Sequence, residues 1–343
     1  MNFLRSSRLP LFSVALAFVA IAGPALAATT VSAEDAAAAN AKVDQLLDRI
    51  AAVQSAGWPL LVAGTDYCNV DTAYRTGIDA RSRPDLTTGK DRVEVVGVAK
   101  GSPADLAGIK RKDTLTAVNG DSVGKRFGGN SDERVTELLD EAAESDEAVT
   151  FSLVRDGQPL EIEVTPVLLC DLKLQYLPSQ GSLNTAESGY VVVTEMMFDV
   201  TESEFERQAY LASEMSFALT KAVAANRRMG KFLNVSSQLL GAFTGNSLVG
   251  AAGSAGTLAH SLGTSKELSL KADRTSVFLL ASIGSDVEQL PAFWSRFYER
   301  AGSNVDFANW LSLRPTAEDR LSNLQAAVAE VAKLRAEGKP LAP

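Results

Sequence analysis

The stretch YLASEMSFAL, residues 210 to 219, sets Ser213 and Phe217 one helical turn apart with Glu214 directly after the first. Side chains four positions apart share a helix face. With histidines at those two places, a helix can hold one Zn²⁺ between two imidazoles while the glutamate polarises a bound water. Here a hydroxyl and a phenyl ring stand at the two ligand places, and only Glu214 is of the type that chemistry needs. Without a metal, Glu214 has no activated water to deprotonate. Its plain role is then a helix carboxylate held by a hydrogen bond or ion pair, and Phe217 can fill the vacated space by apolar packing.

Few other residues offer chemistry. The chain has one histidine, His260, set in a glycine-rich stretch. A catalytic zinc normally takes three protein ligands. A remodelled site would have to be assembled from Glu214, Glu267, Asp273 and His260, and no spacing among them predicts one. The same single histidine is poor support for a Ser-His-acid triad, and there is no phosphate loop, dinucleotide fingerprint or EF-hand. No metal and no cofactor are expected. The two cysteines, Cys68 and Cys170, allow one disulfide or a share in a zinc pair; with no histidine near either, the disulfide is the better reading. A loop of that span gives about 4.7 kcal/mol in the chain-entropy model.

The first 27 residues have a short basic start (Arg5, Arg8), an apolar middle, and Ala25-Leu26-Ala27 as a small-x-small cleavage site. That is the layout of a secretory signal peptide, which places the mature chain in the periplasm or outside the cell, where a disulfide persists. The 33 basic and 42 acidic residues give a net charge of −9, and loss of the leader makes the balance more negative. Nucleic acid and anionic lipid are therefore excluded as natural partners. The 343 residues suffice for more than one core.

An alanine-rich amphipathic helix is expected over residues 33 to 57, with Val43, Leu46, Leu47, Ile50 and Val53 at helical spacing and Gly57 ending it. Short strands and turns follow to about residue 168. In RVEVVGVAKGSPADLAGIKRKDTLTAVNGDSVG, residues 92 to 124, the order is strand, Gly-Ser-Pro turn, short helix, Ala-Gly-Ile, polar turn, strand and Asn-Gly turn. A helix, SDERVTELLDEAAE, and a hairpin turned at Asp156-Gly157 complete a small half-open β-barrel with two helices. This run closely resembles a PDZ domain of the bacterial envelope-protease type, in which GSPA, AGI and VNG stand in this order, although Lys112 occupies a turn position where glycine is usual. The resemblance implies a peptide groove. Tyr74, Arg75, Thr76, Gly77 and Ile78 would form the loop whose backbone N–H groups take a peptide's terminal carboxylate, and the strand beyond would pair with the peptide. The helix from Asp132 to Glu144 would form the other wall, with Val135 or Leu139 lining it. A PDZ fold serving only as a packed spacer is the plain alternative.

The second half is mostly helical. Thr201 and Glu204 read as a capping box for the helix carrying Glu214, and Thr316 reads as the cap of the last helix, after Pro315. Between Phe232 and Ser265 there is no charged residue. Glycine, serine, asparagine and threonine interrupt it too often for a spanning helix, so small-residue packing or a flap is expected, with no strong membrane insertion. LNTAESGYVVVTEMMFD resembles the edge strand and hairpin of the HtpX-like, CAAX prenyl protease-type zinc metallopeptidases. ESEFERQAYLASEMSFAL resembles their HExxH helix, SKELSLKADR their ExxAD helix, and LPAFWSRF and LRPTAEDRLSNL their closing segments. Aligning Ala272-Asp273 with ExxAD puts Ser269 at the third ligand place, and Arg314 replaces the usual histidine of a His-Pro turn. Asp273, which would orient a ligand, remains.

The expectation is an α+β chain: leader 1–27, helix and lead-in 28–70, PDZ domain 71–168, and a mainly α zincin-like domain with a small edge sheet over 169–343. It would be a periplasmic pseudopeptidase that binds peptide or protein segments without cutting them, as an adaptor or regulator in envelope quality control. Two other readings stay open: an active peptidase with a remodelled metal site, and a structural subunit of a membrane-associated assembly.

Overall fold

The computed structural model describes residues 33–68, 71–84, 91–124, 131–178, 185–187, 189–219, 266–301 and 316–342. The leader, the interval from Phe232 to Ser265 with His260, and Arg314 lie outside the described residues, and so does the side chain of Glu267.

Helix α1 (Ala33–Ala63) does not stop at Gly57; it continues through Pro59 to Ala63. Gly57 is an approach point: a Cβ there would lie 2.0 Å from Leu174 Cδ1. Burial of Trp58, Leu60 and Leu61 holds the last turns helical despite the proline, so packing overrides the local stop signal.

Strands β1 (Thr72–Arg75), β2 (Ile78–Pro84), β3 (Asp91–Val98), β4 (Thr114–Val118), β5 (Asp121–Ser122), β6 (Val149–Arg155), β7 (Gln158–Val164) and β8 (Val167–Cys170) alternate with helices α2 (Pro103–Leu106) and α3 (Ser131–Glu141). One sheet runs β2-β3-β4-β6-β7, with β5 on β4, and β1 pairs antiparallel with β8. Its core joins Val93, Val95, Ile109, Leu115, Val118, Val135, Phe151 and Leu153. The Asp156-Gly157 turn has both residues at positive φ, as a tight hairpin needs. Lys112 also has a positive φ, 75°, which explains why glycine suits that turn.

The second core is separate. Strands β9 (Lys173–Leu177), β10 (Thr185–Glu187) and β11 (Tyr190–Thr194) form a sheet in the order β10-β11-β9. Helices α4 (Glu195–Val200), α5 (Glu204–Leu219), α6 (Lys266–Ser282), α7 (Leu290–Ala301) and α8 (Ala317–Ala336) follow. From Ala209 to Leu219 every residue of α5 is buried, as in a helix enclosed on all sides. Its cap is Ser203, not Thr201: Glu206 N–H donates to Ser203 Oγ at 3.1 Å, while the Thr201 hydroxyl donates back to the Met197 carbonyl at 2.7 Å. The Glu206 carboxylate reaches back one residue further, accepting from Glu202 N–H at 2.6 Å, the residue before the cap. Thr316 caps α8 as expected, accepting from Asp319 N–H at 3.1 Å. Among the described residues no helix is long and apolar enough to cross a membrane.

Helix α1 belongs to the helical core and makes polar contacts with the first sheet's domain. Its buried end packs in the helical core, while Gln54 donates to Asp79 on β2, the Ser55 hydroxyl accepts from Lys100 N–H, and Asp44 pairs with Lys112. The Cys68–Cys170 disulfide, with Cα atoms 5.5 Å apart and a sequence separation of 102, closes the loop that contains the first sheet.

Candidate functional site

Two places in the molecule meet the chemistry read from the sequence: a groove beside β2 and a buried polar cluster between α5, α6 and α8.

The groove lies between β2, an edge strand of the larger sheet, and α3. The loop entering β2 is shorter than the sequence implied. Tyr74 and Arg75 belong to β1, paired with Leu168 and Val167. Tyr74 N–H donates to the Ala143 carbonyl at 3.1 Å, so it is spent on the end of α3. Arg75 faces acidic partners of its own, donating from Nε and Nη2 to Asp171 at 3.2 and 2.9 Å and from Nη1 to Asp140 at 3.0 Å. Burial pushes the Asp171 carboxyl up, but the hydrogen bonds and charge of Arg75, helped by Lys173, hold it net below the usual carboxylate range.

That leaves Thr76, Gly77 and Ile78. The Thr76 carbonyl accepts from Ala104 N–H and the Gly77 carbonyl from Ala99 N–H, which pins the loop onto the GSPA turn. Gly77 has φ +87°, and a Cβ would lie 2.2 Å from Ser102 Cβ, so only glycine fits. Among the described residues neither Thr76 N–H nor Gly77 N–H donates to another protein group. Of the two helix residues expected to line the groove, Val135 is 1% exposed and belongs to the sheet's core, whereas Leu139 is half-buried at its margin. Helical phase explains the difference, since Val135 turns inward with Leu138.

The second place contains every residue aligned to a metal site. Ser213, Glu214 and Phe217 lie on α5 and Ser269 and Asp273 on α6, all buried, and α5 packs along α6. A residue that the sequence reading did not single out joins them. Arg320 of α8 is 1% exposed, and its Nε donates to Asp273 Oδ1 and Oδ2 at 2.7 and 2.8 Å. Its Nη2 donates to Ser213 Oγ at 2.7 Å, and its Nη1 reaches the Tyr298 hydroxyl at 3.4 Å. The guanidinium lies 3.9 Å from the centroid of the Trp294 ring. Burial pushes the guanidinium toward losing its proton, but Asp273 and Tyr298 outweigh this and raise its pKa.

The signal for Arg320 was present in the sequence. It stands four, seven and eleven positions before Leu324, Ala327 and Val331, the buried stripe of α8. An arginine on an apolar stripe needs a buried acid. Phe217 packs in the helical core, as expected of an aromatic at its position. The Ser269 hydroxyl is buried and has no hydrogen-bond partner among the described residues. Among those residues, no three of histidine, cysteine, aspartate or glutamate stand close enough together to hold a metal.

The chain matches two family models: PDZ domain over residues 77–165 and peptidase family M48 over residues 183–328. It matches no curated protein sequence. Among solved structures it is similar to the HtrA3 PDZ domain bound to a phage-derived ligand, at 19% identity over 29% of this chain and 89% of that one, with a TM-score of 0.23. It is also similar to the HtrA-type protease AlgW, with a decapeptide (17% identity, 28% of this chain and 30% of that one, TM-score 0.23) and with a tripeptide (17%, 28% and 32%, 0.22). The chain thus spans about a third of AlgW's length. In chain order, then, residues 77–165 match the PDZ domain model and residues 183–328 the model of peptidase family M48.

Proposed function

We propose that the protein is a pseudopeptidase that holds peptide or protein segments without cutting them, as an adaptor or regulator in the periplasm. The observation that carries this reading is the Arg320–Asp273–Ser213 cluster. The side chains at the aligned ligand places do not fit zinc. Two are hydroxyls and one a phenyl ring, and the nearby carboxylate of Asp273 is already neutralised by a guanidinium that would repel a second cation. No hydrolytic step is therefore derived through a metal.

Holding without cutting needs no metal. The Thr76 and Gly77 amides, which donate to no protein group among the described residues, suit a terminal carboxylate, and the edge of β2 suits an extended peptide. The apolar middle of the leader and the Cys68–Cys170 disulfide support an oxidising compartment. The test compares the mature protein with a Ser213→His, Phe217→His, Ser269→Glu variant, each incubated with an unfolded protein and zinc. The wild type should retain peptides and release no fragments. Zinc-dependent, chelator-sensitive fragments from the wild type would restore the peptidase reading.

A further inference from the structure

The edge of β2 is not open along its whole length. In an antiparallel strand, one residue's N–H and C=O point to the same side, and successive residues alternate sides. The Gly77 carbonyl points toward β3, where it accepts from Ala99 N–H at 2.9 Å. Gly77, at φ +87°, lies outside β2 and its N–H does not follow this rule; within the strand the Ser82 N–H bond to α3 sets the phase, so Asp79, Arg81 and Arg83 face β3, and Ile78, Ala80, Ser82 and Pro84 face the groove. The irregularity in the β2–β3 register does not change this alternation, because the extra residue is Val96 on β3: Asp79 pairs with Gly97 and Ala80 with Val95.

Two of those four groove-facing positions are closed. Pro84 has no N–H to offer, a common device on an edge strand. Ser82 N–H donates to Asp132 Oδ1 of α3 at 2.5 Å, so the helix side chain occupies the place where a pairing strand's carbonyl would accept. The protonated guanidinium of Arg81 is favoured chiefly by Asp79, with a smaller contribution from the charge of Asp132.

We infer that Asp132 is a ligand-length determinant: its carboxylate ends β-augmentation at Ser82, so the groove takes only the last few residues of a free C-terminus. This rests on the peptide-binding reading above. The Thr76 and Gly77 amides face the carboxylate, Ile78 pairs with the terminal residue, and Ala80 pairs two residues upstream. The next pairing partner, four residues upstream, would need Ser82 N–H. Bound ligand is thus ordered over about four residues, and chain beyond that gains no ladder hydrogen bond.

Two measurements on the mature full-length chain test this. The first is single-residue amide exchange in wild type, Asp132→Ala and Asp132→Asn, which needs no ligand. Ser82 N–H should exchange at least about tenfold more slowly than Ala80 N–H, lose that protection in Asp132→Ala, and keep it in Asp132→Asn, whose amide oxygen still accepts. The second uses a pool of random decapeptides with free carboxylates and apolar last residues; retained sequences are remade as tetrapeptides. In wild type the truncation should weaken binding by no more than about threefold, whereas in Asp132→Ala the decapeptide should bind about fivefold or more tighter than its tetrapeptide. A wild-type loss above about tenfold on truncation, or equal exchange at Ser82 and Ala80, overturns the inference. If Ser82 is protected but neither protein retains any peptide, the cap exists and the peptide-binding reading fails, taking the length limit with it.

Discussion

Replacing Arg320 by alanine would strand the Asp273 carboxylate, which is 1% exposed and receives two hydrogen bonds from the Arg320 Nε. Breaking a buried pair from one side costs about 3 to 5 kcal/mol, because the surviving charge stays desolvated without its opposite charge. Loss of the contact with the Trp294 face, at 3.9 Å, and of the hydrogen bond to Ser213 adds to this by about 1 to 2 kcal/mol. Asp273→Ala should cost a comparable amount by stranding the guanidinium. Replacing both at once, as Arg320→Met with Asp273→Leu, removes the charges together, and such swaps are often close to neutral. The double variant should therefore be more stable than either single one, with a coupling of about 3 kcal/mol or more. Urea unfolding of the full chain, followed by tryptophan fluorescence and by limited proteolysis of the helical core, provides the readout. Single-site costs that add to the double-variant cost within about 0.5 kcal/mol would refute the reasoning, and so would an Arg320→Ala cost below about 1 kcal/mol. Arg320→Lys should rescue little, since an ammonium cannot reach the Asp273 carboxylate, Ser213 and the Trp294 face together.

The Cys68–Cys170 bridge should contribute up to about 4.7 kcal/mol, so a reductant should lower the melting temperature; an unchanged melt would contradict that. Because Asp171 titrates below its ordinary range in the folded chain, the stability it gains from Arg75 is full above the unfolded carboxylate value, near pH 4, and is lost as pH falls through the lower folded value. The melting difference between wild type and Asp171→Asn should therefore be constant at neutral pH and vanish in acid, and a difference independent of pH would refute it. Gly77→Ala forces a Cβ into Ser102 at an unfavourable φ; it should abolish capture of free C-termini and cost about 1 to 3 kcal/mol, while normal capture would show that this loop is not the carboxylate site.

Much of this architecture could be read from local chemistry. Turn pairs such as Asp156-Gly157 and the GSPA cap require particular backbone angles, so they announce themselves in sequence. Interactions over long sequence separations do not. Gly57 reads as a helix end, but burial of Trp58, Leu60 and Leu61 carries the helix on, and the glycine instead makes room for Leu174, 117 positions away in sequence. Val135 and Leu139 looked equivalent on α3, yet only helical phase relative to the sheet decides which one is core. Thr201 and Ser203 are both cap-forming types two positions apart, and only the backbone decides between them: Ser203 accepts from the Glu206 N–H while Thr201 bonds back to Met197. The largest omission was Arg320. Metal ligands are histidines and carboxylates, whereas this cluster is centred on a cation that meets Ser213 across 107 positions. Its place on the α8 apolar stripe was the visible clue.

The most direct test of the central claim is the zinc content of mature, tag-free protein purified without chelators, then supplied with zinc and analysed by mass spectrometry. The cluster around Arg320 predicts substoichiometric, weakly held metal, and one tightly held zinc per chain would contradict it.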